Sequence, residues 1–163
     1  MYRLAYRNVK GTDTWLVTHT IDNGRGGTAV RWYEVHASSG RAAFIYQQGT
    51  YAPDGADRFM GSIAMDKFGD IAVGYSVSSA TIHPSIRFAG RTPSLTRNKL
   101  GPESSILQGT GSATNGRWGD YSSMVVDPSD DCTFWYTNEY LRLDGISWAT
   151  QIASIRFPQC TQK

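Results

Sequence analysis

The sequence predicts an all-β protein, and composition is the first observation behind this prediction. The chain has 163 residues, which is enough for one domain with a hydrophobic core. Aromatic residues make up 12% of the chain, charged residues only 18%, and 17 residues are glycine. Many aromatic residues and glycines with little charge favour short strands joined by turns over a helical bundle or a disordered chain.

The charge balance limits the classes of partner that the chain is expected to bind. The 16 Lys and Arg residues against 14 Asp and Glu residues give a net charge of +2. So balanced a chain is not expected to bind nucleic acid or an anionic membrane surface. No run approaches the roughly 20 apolar residues that a membrane-spanning helix needs, so we expect no membrane partner.

Repetition along the chain is the second observation. The tripeptide Gln-Gly-Thr at residues 48–50 recurs at residues 108–110, and a basic-aromatic pair follows each copy, Arg58-Phe59 and Arg117-Trp118. The next matches are, in chain order, an alternating run that ends in aspartate (62–66 and 123–127), a turn (67–70 and 128–131) and a strand-like run (71–76 and 132–137). A further signature of an arginine between apolar residues occurs at 30–32, 86–88 and 155–157. Its recurrence indicates a structural role for Arg31, Arg87 and Arg156, such as an ion pair between repeats.

Each repeat is expected to hold about four short strands, separated by turns of Gly, Pro, Asp and Asn. In the first repeat, residues 2–6 predict the first strand and residues 15–18 the second, and the glycines of 23–27 predict a hairpin turn. A four-stranded antiparallel unit that repeats every 40–60 residues or so is typical of β-propeller blades. We expect one β-propeller-type domain over residues 1–163, with blades at 1–47, 48–108 and 109–160. The alternative is a single β-sandwich whose strands happen to be alike.

About three blades are too few to close a ring, because propellers typically have four to eight. Burial of apolar surface stabilises by about 25 cal/mol per Å², so an uncovered blade face favours a partner. We expect a homo-oligomer in which copies of the chain complete the ring, most simply a dimer. The alternative is that the chain is part of a larger protein.

The cysteines Cys132 and Cys160 allow two interpretations. They are either two buried thiols or a disulfide, which a hairpin between the strand-like runs 132–136 and 152–157, turning at 144–145, would bring together. A disulfide would favour an oxidising compartment. The first residues do not read as a signal peptide, so we expect the signal of an exported parent protein to lie upstream.

The run of residues 117–124, continued by 127–140, resembles the C-terminal part of large uncharacterised bacterial secreted proteins. These proteins are related to the sialidase-like (BNR-repeat, glycosyl-hydrolase-like) β-propellers, and residues 31–34 and 61–66 fit the same group. The resemblance implies a secreted or periplasmic parent protein and a propeller fold, and it implies a carbohydrate-related function by loose analogy. The sialidase Asp-box, S-x-D-x-G-x-x-W, is not present at the turns after Asp66 and Asp127.

Sites in propellers gather where the loops that enter each first strand meet the loops between the second and third strands. In this sequence those loops are expected at 51–58 and 111–121, and at 19–23, 81–84 and 138–144. The chemistry-bearing residues that they would gather on one face are His19, Asp22, Asp54, Asp57, Arg58, His83, Arg117, Trp118, Asp120, Tyr121 and Glu139.

Three kinds of chemistry are open to this set. Oxygen ligands suit Ca²⁺, which would polarise an ester or lactone carbonyl with His19 or His83 as general base; the four expected ligands are Asp22, Asp54, Asp57 and Asp120. Asp120 and Glu139 are a carboxylate pair suited to glycoside hydrolysis. A sugar-binding platform would use Arg and aromatic side chains, namely Arg58, Arg117, Trp118, Tyr121 and Trp135.

Each of these assignments has a structural alternative. The aspartates can cap turns, and the two tryptophans Trp118 and Trp135 can pack between blades. The sequence contains no G-x-S-x-G, G-x-x-x-x-G-K or G-x-G-x-x-G motif, so serine-elbow and nucleotide chemistry are unsupported. The two functions left open are a hydrolase that acts on a glycoside or a lactone, and a non-catalytic carbohydrate-binding or scaffold module of a larger exported protein.

Overall fold

The computed structural model describes residues 4–38, 40–114, 116–143 and 146–161. Within these ranges the chain forms eleven strands and one short 3-10 helix, which confirms the all-β prediction. The strands make three antiparallel sheets of four, four and three strands. None of the described residues belongs to a helix that is long and apolar enough to cross a membrane.

Each sheet is a meander of consecutive strands. Sheet 1 contains β1 (Ala5–Val9), β2 (Thr12–Asp22), β3 (Thr28–Ala37) and β4 (Phe44–Tyr51). Sheet 2 contains β5 (Asp57–Met65), β6 (Ile71–Ser78), β7 (Ser85–Arg91) and β8 (Glu103–Leu107). Sheet 3 contains β9 (Ser123–Val126), β10 (Phe134–Leu141) and β11 (Trp148–Ile155), and the 3-10 helix Pro158–Thr161 follows.

The repeated turn signatures fold alike. Asp66 accepts a hydrogen bond from the Phe68 backbone N–H at 2.9 Å, and Asp127 accepts one from the Ser129 N–H at 2.8 Å. An aspartate that bonds the backbone two residues later builds a tight turn from its own side chain. The equivalent residues of two repeats therefore connect the first and second strands of sheets 2 and 3 in the same way.

The predicted hairpin turn at residues 23–27 is confirmed. The Asn23 side-chain oxygen accepts hydrogen bonds from the N–H groups of Arg25 and Gly27, at 2.8 and 3.2 Å. Gly24 and Gly26 have φ angles of 71° and 80°, which glycine adopts without steric cost.

Several expected boundaries were wrong. β4 runs across the limit expected between residues 47 and 48, so sheet 1 ends at Tyr51. His19 lies inside β2, not in a loop, because β2 continues to Asp22. β10 begins at Phe134, and β1 covers residues 5–9 where residues 2–6 were expected. The turn expected at 144–145 and the start of the chain at 1–3 lie outside the described residues.

Sheet 2 packs between the other two sheets, because alternate residues of its strands point to opposite faces. Ile63 and Val73 belong to one buried cluster with Leu16 and Trp32 of sheet 1. Ala64 and Ala72 belong to a second cluster with sheet 3 residues, among them Met124, Phe134, Tyr136 and Ile155. Three stacked sheets also differ from the two-sheet sandwich that was the alternative prediction.

The recurring arginines have structural roles, as predicted, but they bond within their own sheets and not between repeats. Their partners are Thr50 on β4 for Arg31 (3.0 Å), Glu103 on β8 for Arg87 (2.5 Å) and Thr133 beside β10 for Arg156 (2.7 Å). The ion pair between repeats is made instead by Arg7 of β1 and Asp131 in the turn after β9.

The predicted disulfide is confirmed. Cys132 precedes β10, Cys160 lies in the 3-10 helix, and their Cα atoms are 5.7 Å apart. The antiparallel pairing of Phe134 with Ile155 brings the two cysteines together. The disulfide therefore ties the C-terminal helix to the start of β10.

Candidate functional site

At the end of the sheets where the loops were expected to meet, neighbouring turns and strand ends contact one another. Asp57 at the start of β5 accepts hydrogen bonds from the backbone N–H and hydroxyl of Thr28, at 2.6 and 3.1 Å. His83, between β6 and β7, lies 2.8 Å from the Ser112 hydroxyl in the segment that leads to β9. One end of the three sheets is therefore built from the turns on which the sequence placed the site.

At this end a cleft of about 250 Å³, here called the tryptophan cleft, brings four of the predicted residues together. It lies between the segment 117–120 and the hairpin of β10 and β11. Its lining residues are Arg117, Trp118, Gly119, Asp120, Glu139, Leu141, Ile146 and Trp148.

Trp118 both packs and lines the cleft. Its indole N–H donates to the Ser76 hydroxyl of β6 at 3.2 Å, and its ring meets Phe59 of β5 edge to face at 5.9 Å. The packing alternative for Trp118 is thus correct for part of its surface. Because sheet 2 holds this ring on one side, the cleft has one rigid aromatic wall.

Trp148 forms another part of the cleft wall. It is the first residue of β11 and pairs with Leu141 across the β10–β11 hairpin. Its side chain is 68% exposed, and Ile146 beside it is 71% exposed. Sequence reasoning missed both residues; the only signal was an aromatic residue at the start of an alternating run.

Glu139 is the partly buried acid of the tryptophan cleft. Burial raises its pKa, the Gly119 backbone N–H lowers it, and the charge of Asp120 raises it. A Cβ atom at position 119 would overlap the Glu139 carboxylate, so a larger residue there would require the Glu139 side chain to move. A carboxyl group whose pKa is raised is suited to give a proton to a bound substrate.

Asp120 is the second acid, and its environment is different. Its side chain is 64% exposed, and the carboxylate lies 3.8 Å from the Arg117 guanidinium. The cleft thus holds two carboxyl groups in unlike surroundings, one partly buried and one exposed beside a cation. Burial thus favours Glu139 as a proton donor, while Asp120 is open to solvent and to a ligand.

A smaller cleft of about 160 Å³, here called the histidine cleft, shares Asp120 with the tryptophan cleft. It also contains His19 and Tyr121, two more of the predicted residues. The His19 ring stacks on Tyr33 at 5.8 Å, and its Nε2 atom lies 3.4 Å from the Tyr33 hydroxyl. Six of the eleven predicted residues therefore lie in two clefts joined at Asp120.

Arg58 does not belong to this surface, and its prediction as a substrate-binding residue was wrong. Its side chain is fully buried. Its guanidinium donates to Asp54 at 2.7 and 3.0 Å, to Glu103 at 2.8 and 3.2 Å and to the Ala56 carbonyl at 3.0 Å. All five N–H donors are thereby used, so none is left for a ligand. This bonding lowers the pKa of Asp54 to about 2.

The four aspartates expected to bind calcium are not gathered by the fold. Asp22 accepts from the Gly24 N–H at 2.6 Å, Asp54 bonds Arg58, Asp57 bonds Thr28, and Asp120 faces Arg117. Among the described residues, one set of three potential ligands has its donor atoms within 4.8 Å of one another, and it is Asp66, Cys132 and Cys160. Its two sulfur atoms form the disulfide, and calcium prefers oxygen ligands.

Two other predicted residues lie apart from the clefts. His83 is exposed and contacts Ser112, outside the lining of both clefts. Trp135 on β10 is 41% exposed and donates from its indole N–H to Asp127 at 2.9 Å.

Comparison with protein-family models, with curated proteins and with solved structures finds no match. The geometry of the two clefts must therefore carry the argument about function.

Proposed function

We propose that this chain is a propeller-type protein that binds a glycan in the tryptophan cleft and hydrolyses a glycosidic bond there. The observation that carries the proposal is the pair Glu139 and Asp120 between the aromatic walls Trp118 and Trp148. Aromatic faces pack on sugar rings, and two carboxyl groups in unlike environments are the parts that glycoside hydrolysis requires.

In this proposal Glu139 donates a proton to the leaving oxygen, because burial favours its protonated form. Asp120 stabilises the positive charge that develops on the sugar, or activates the attacking group. The Arg117 guanidinium lies 3.8 Å from Asp120 and places a positive charge where sugar hydroxyl or carboxylate groups would bind.

The proposed propeller fold is supported by the placement of the first strands. Residues of β1, β5 and β9 together line one cleft of about 380 Å³, as first strands do around a propeller axis. Among the described residues, the buried clusters join sheet 2 to one face of sheet 1 and to one face of sheet 3. Exposed apolar residues lie on these two sheets, including Tyr6 (59%) on sheet 1 and Trp135 (41%) and Ile152 (63%) on sheet 3.

We propose that a second copy of the chain covers these faces and completes the ring. Sheet 2 shows that this sequence buries a sheet on both faces when a neighbour is present. Light scattering at micromolar concentration should give a dimer, and Ile152→Asp should shift it to monomer. A strictly monomeric wild-type protein would contradict this part of the proposal.

The disulfide supports a secreted or periplasmic parent protein.

The first experiment is a panel of chromogenic glycosides and polysaccharide-binding assays with the wild-type protein and two aromatic variants. Trp148→Ala should weaken glycan binding by about tenfold, because it removes one wall of the cleft. Phe44→Ala is the matched control, since Phe44 is a 54% exposed aromatic residue on sheet 1. Equal binding by both variants would place the glycan elsewhere.

A second candidate is the non-catalytic carbohydrate-binding or scaffold module. The 68% exposure of Trp148 favours it, because an exposed aromatic face suits recognition of a passing glycan. Retention on a polysaccharide column without turnover of any glycoside would favour this module over the hydrolase.

A calcium-dependent lactonase reaction is tested in the same panel with chromogenic lactones. Thermal melts with Ca²⁺ and then with EGTA measure whether the ion stabilises the fold. His19→Ala and His83→Ala remove its expected general bases. Turnover of lactones that EGTA abolishes would favour this reaction over glycoside hydrolysis.

A further inference from the structure

A second cleft lies at the opposite end of sheets 1 and 2 from the tryptophan cleft. It is a cleft of about 340 Å³ between the turn after β1, the turn after β5 and the segment that follows β7, here called the arginine cleft. We propose that it binds a small cyclic organic anion that carries a carboxylate group. This proposal is independent of the glycan-hydrolysing function proposed above.

The buried cation Arg91 is the first observation. Its residue exposure is only 4%, and it is the last residue of β7. One guanidinium nitrogen donates to the Leu95 carbonyl at 2.7 Å, while Nε has no hydrogen-bond partner among the described residues. No described carboxylate lies within 4 Å of its guanidinium. A buried charge without a direct counterion is costly, so a bound anion would compensate Arg91.

The charges on the cleft wall are the second observation. Lys10 and Arg97 are exposed and line the cleft together with Arg91. Among the described lining residues the carboxylate is Glu34, which bonds the Gln47 side-chain amide, lies 2.5 Å from the His36 Nε2 atom and acts on Arg91 through its charge. Three cations against this carboxylate leave the lining with an excess of positive charge, which attracts an anion.

Aromatic surface in the cleft supports a cyclic carbon skeleton. Tyr46 and Phe68 line the cleft and are 39% and 45% exposed. The Tyr46 ring stacks on His36 at 4.1 Å with an interplanar angle of 8°, and the Arg97 guanidinium lies 5.2 Å from the Tyr46 ring centre. The exposed parts of these two aromatic rings, beside cations, suit a ring that bears an acid group, such as a carboxylated pyranose.

The segment that carries Arg97 is held in place by sheet 1. The neighbouring Asn98 accepts a hydrogen bond from the Gln48 backbone N–H at 3.0 Å and donates from its own backbone N–H to the Gln47 side chain at 3.3 Å. Because these bonds span two sheets, the cationic wall is positioned before any ligand arrives. Such pre-organisation lowers the entropic cost of binding.

The test is isothermal titration of the protein with glucuronate and with glucose, which differ in the carboxylate. Glucuronate should bind, and glucose should bind at least about tenfold more weakly, because it lacks the group that meets the cations. Arg97→Gln should weaken glucuronate binding by about tenfold, and Lys10→Gln by about threefold. Arg25→Gln is the matched control, since Arg25 is exposed in the turn at the other end of sheet 1.

Two further variants keep the result interpretable. Arg91→Met should abolish glucuronate binding, and if that variant does not fold, the surface variants Arg97→Gln and Lys10→Gln decide the matter. Arg97→Gln should leave polysaccharide binding, which Trp148→Ala weakens, unchanged, and this separates the arginine cleft from the tryptophan cleft. Equal affinity for the two sugars, no binding of glucuronate at up to about 10 mM, or insensitivity to Arg97→Gln would overturn the proposal.

Discussion

The acidic turn beside the disulfide makes a prediction about stability. Asp70 is fully buried immediately before β6, and burial together with the charge of Asp66 raises its pKa from 3.8 to about 6. Its carboxylate has the Gln159 side chain as a neighbour, at 2.5 and 3.1 Å when the amide nitrogen faces it. An ionised Asp70 at neutral pH is therefore unfavourable in the folded protein. The variant Asp70→Asn, which is neutral at every pH, removes this cost.

The direction in which stability changes with pH follows from the proton that the folded protein takes up. Between about pH 4 and pH 6 the folded protein holds a proton on Asp70 that the unfolded chain has lost, so stability falls as the pH rises through this window. A difference of about two pKa units corresponds to about 3 kcal/mol. Asp70→Asn should therefore stabilise the protein by up to about 3 kcal/mol at about pH 7 and add little at about pH 4. For a domain of this size that gain would raise Tm by about 6–10 °C.

Urea unfolding, monitored by tryptophan fluorescence at several pH values, measures both the stability gained in Asp70→Asn and the pH dependence of stability. The wild-type protein should lose stability from about pH 4 to pH 6, and the slope should be smaller in Asp70→Asn. Part of the fall in stability with pH should remain in Asp70→Asn, because burial also raises the pKa of Asp66. A variant that is less stable than wild type at neutral pH, with an unchanged pH slope, would refute this reasoning.

Three more predictions concern the structure that holds the clefts, each measured by urea unfolding. Gly74→Ala should destabilise by a few kcal/mol, because its Cβ would overlap the buried Tyr136 ring between sheets 2 and 3; an unchanged midpoint would contradict this packing. Arg58→Met should cost about 2–3 kcal/mol, because it removes the buried guanidinium that bonds Asp54 and Glu103, while Arg87 still pairs with Glu103; a neutral result would mean that Arg87 and solvent replace those bonds. Replacing Cys132 and Cys160 together by alanine should cost about 3.5 kcal/mol for a loop of 28 residues, and the wild type under reducing agent should match that variant.

The sheets could be predicted from the sequence because their signals are local. Alternation of apolar residues, turn residues and the repeated aspartates Asp66 and Asp127 each act within a few residues of the chain, and they determine strands and turns. The ends of strands were less well predicted. β2 continues through His19 to Asp22 because its partner β3 extends the pairing, and no local residue signals that.

The site was harder to predict because burial depends on partners that are distant in the chain. Arg58 and Arg117 occupy equivalent positions in the repeat, yet one side chain is fully buried and the other is 78% exposed. The difference arises because Glu103 on β8, the fourth strand of sheet 2, bonds the Arg58 guanidinium. Sheet 3 has no fourth strand among the described residues and so offers Arg117 no equivalent of Glu103. Arg58 lies inside β5, whereas Arg117 lies in the segment before β9, so the repeat matched the two arginines in sequence and the tertiary structure determined the role of each.

The residues of the tryptophan cleft show the same limit to prediction from the sequence. Asp120 and Glu139 could be named from residue type and loop position, and they do lie in one cleft. Trp148 could not, because its place beside Leu141 depends on the register of the β10–β11 hairpin. The predicted cluster of four aspartates does not form for a corresponding reason: each carboxylate lies beside a nearby donor, and the fold does not bring the four together.

Glu139→Gln, assayed for binding and turnover with the same glycan, tests the central claim most directly. The amide keeps the size and hydrogen-bonding capacity of the side chain but cannot give up a proton as an acid. We predict that glycan affinity stays within about threefold of wild type while turnover falls by a factor of about 10² to 10⁴. Turnover that is unchanged in Glu139→Gln would contradict the assignment of Glu139 as the proton donor and, with it, the proposed hydrolase.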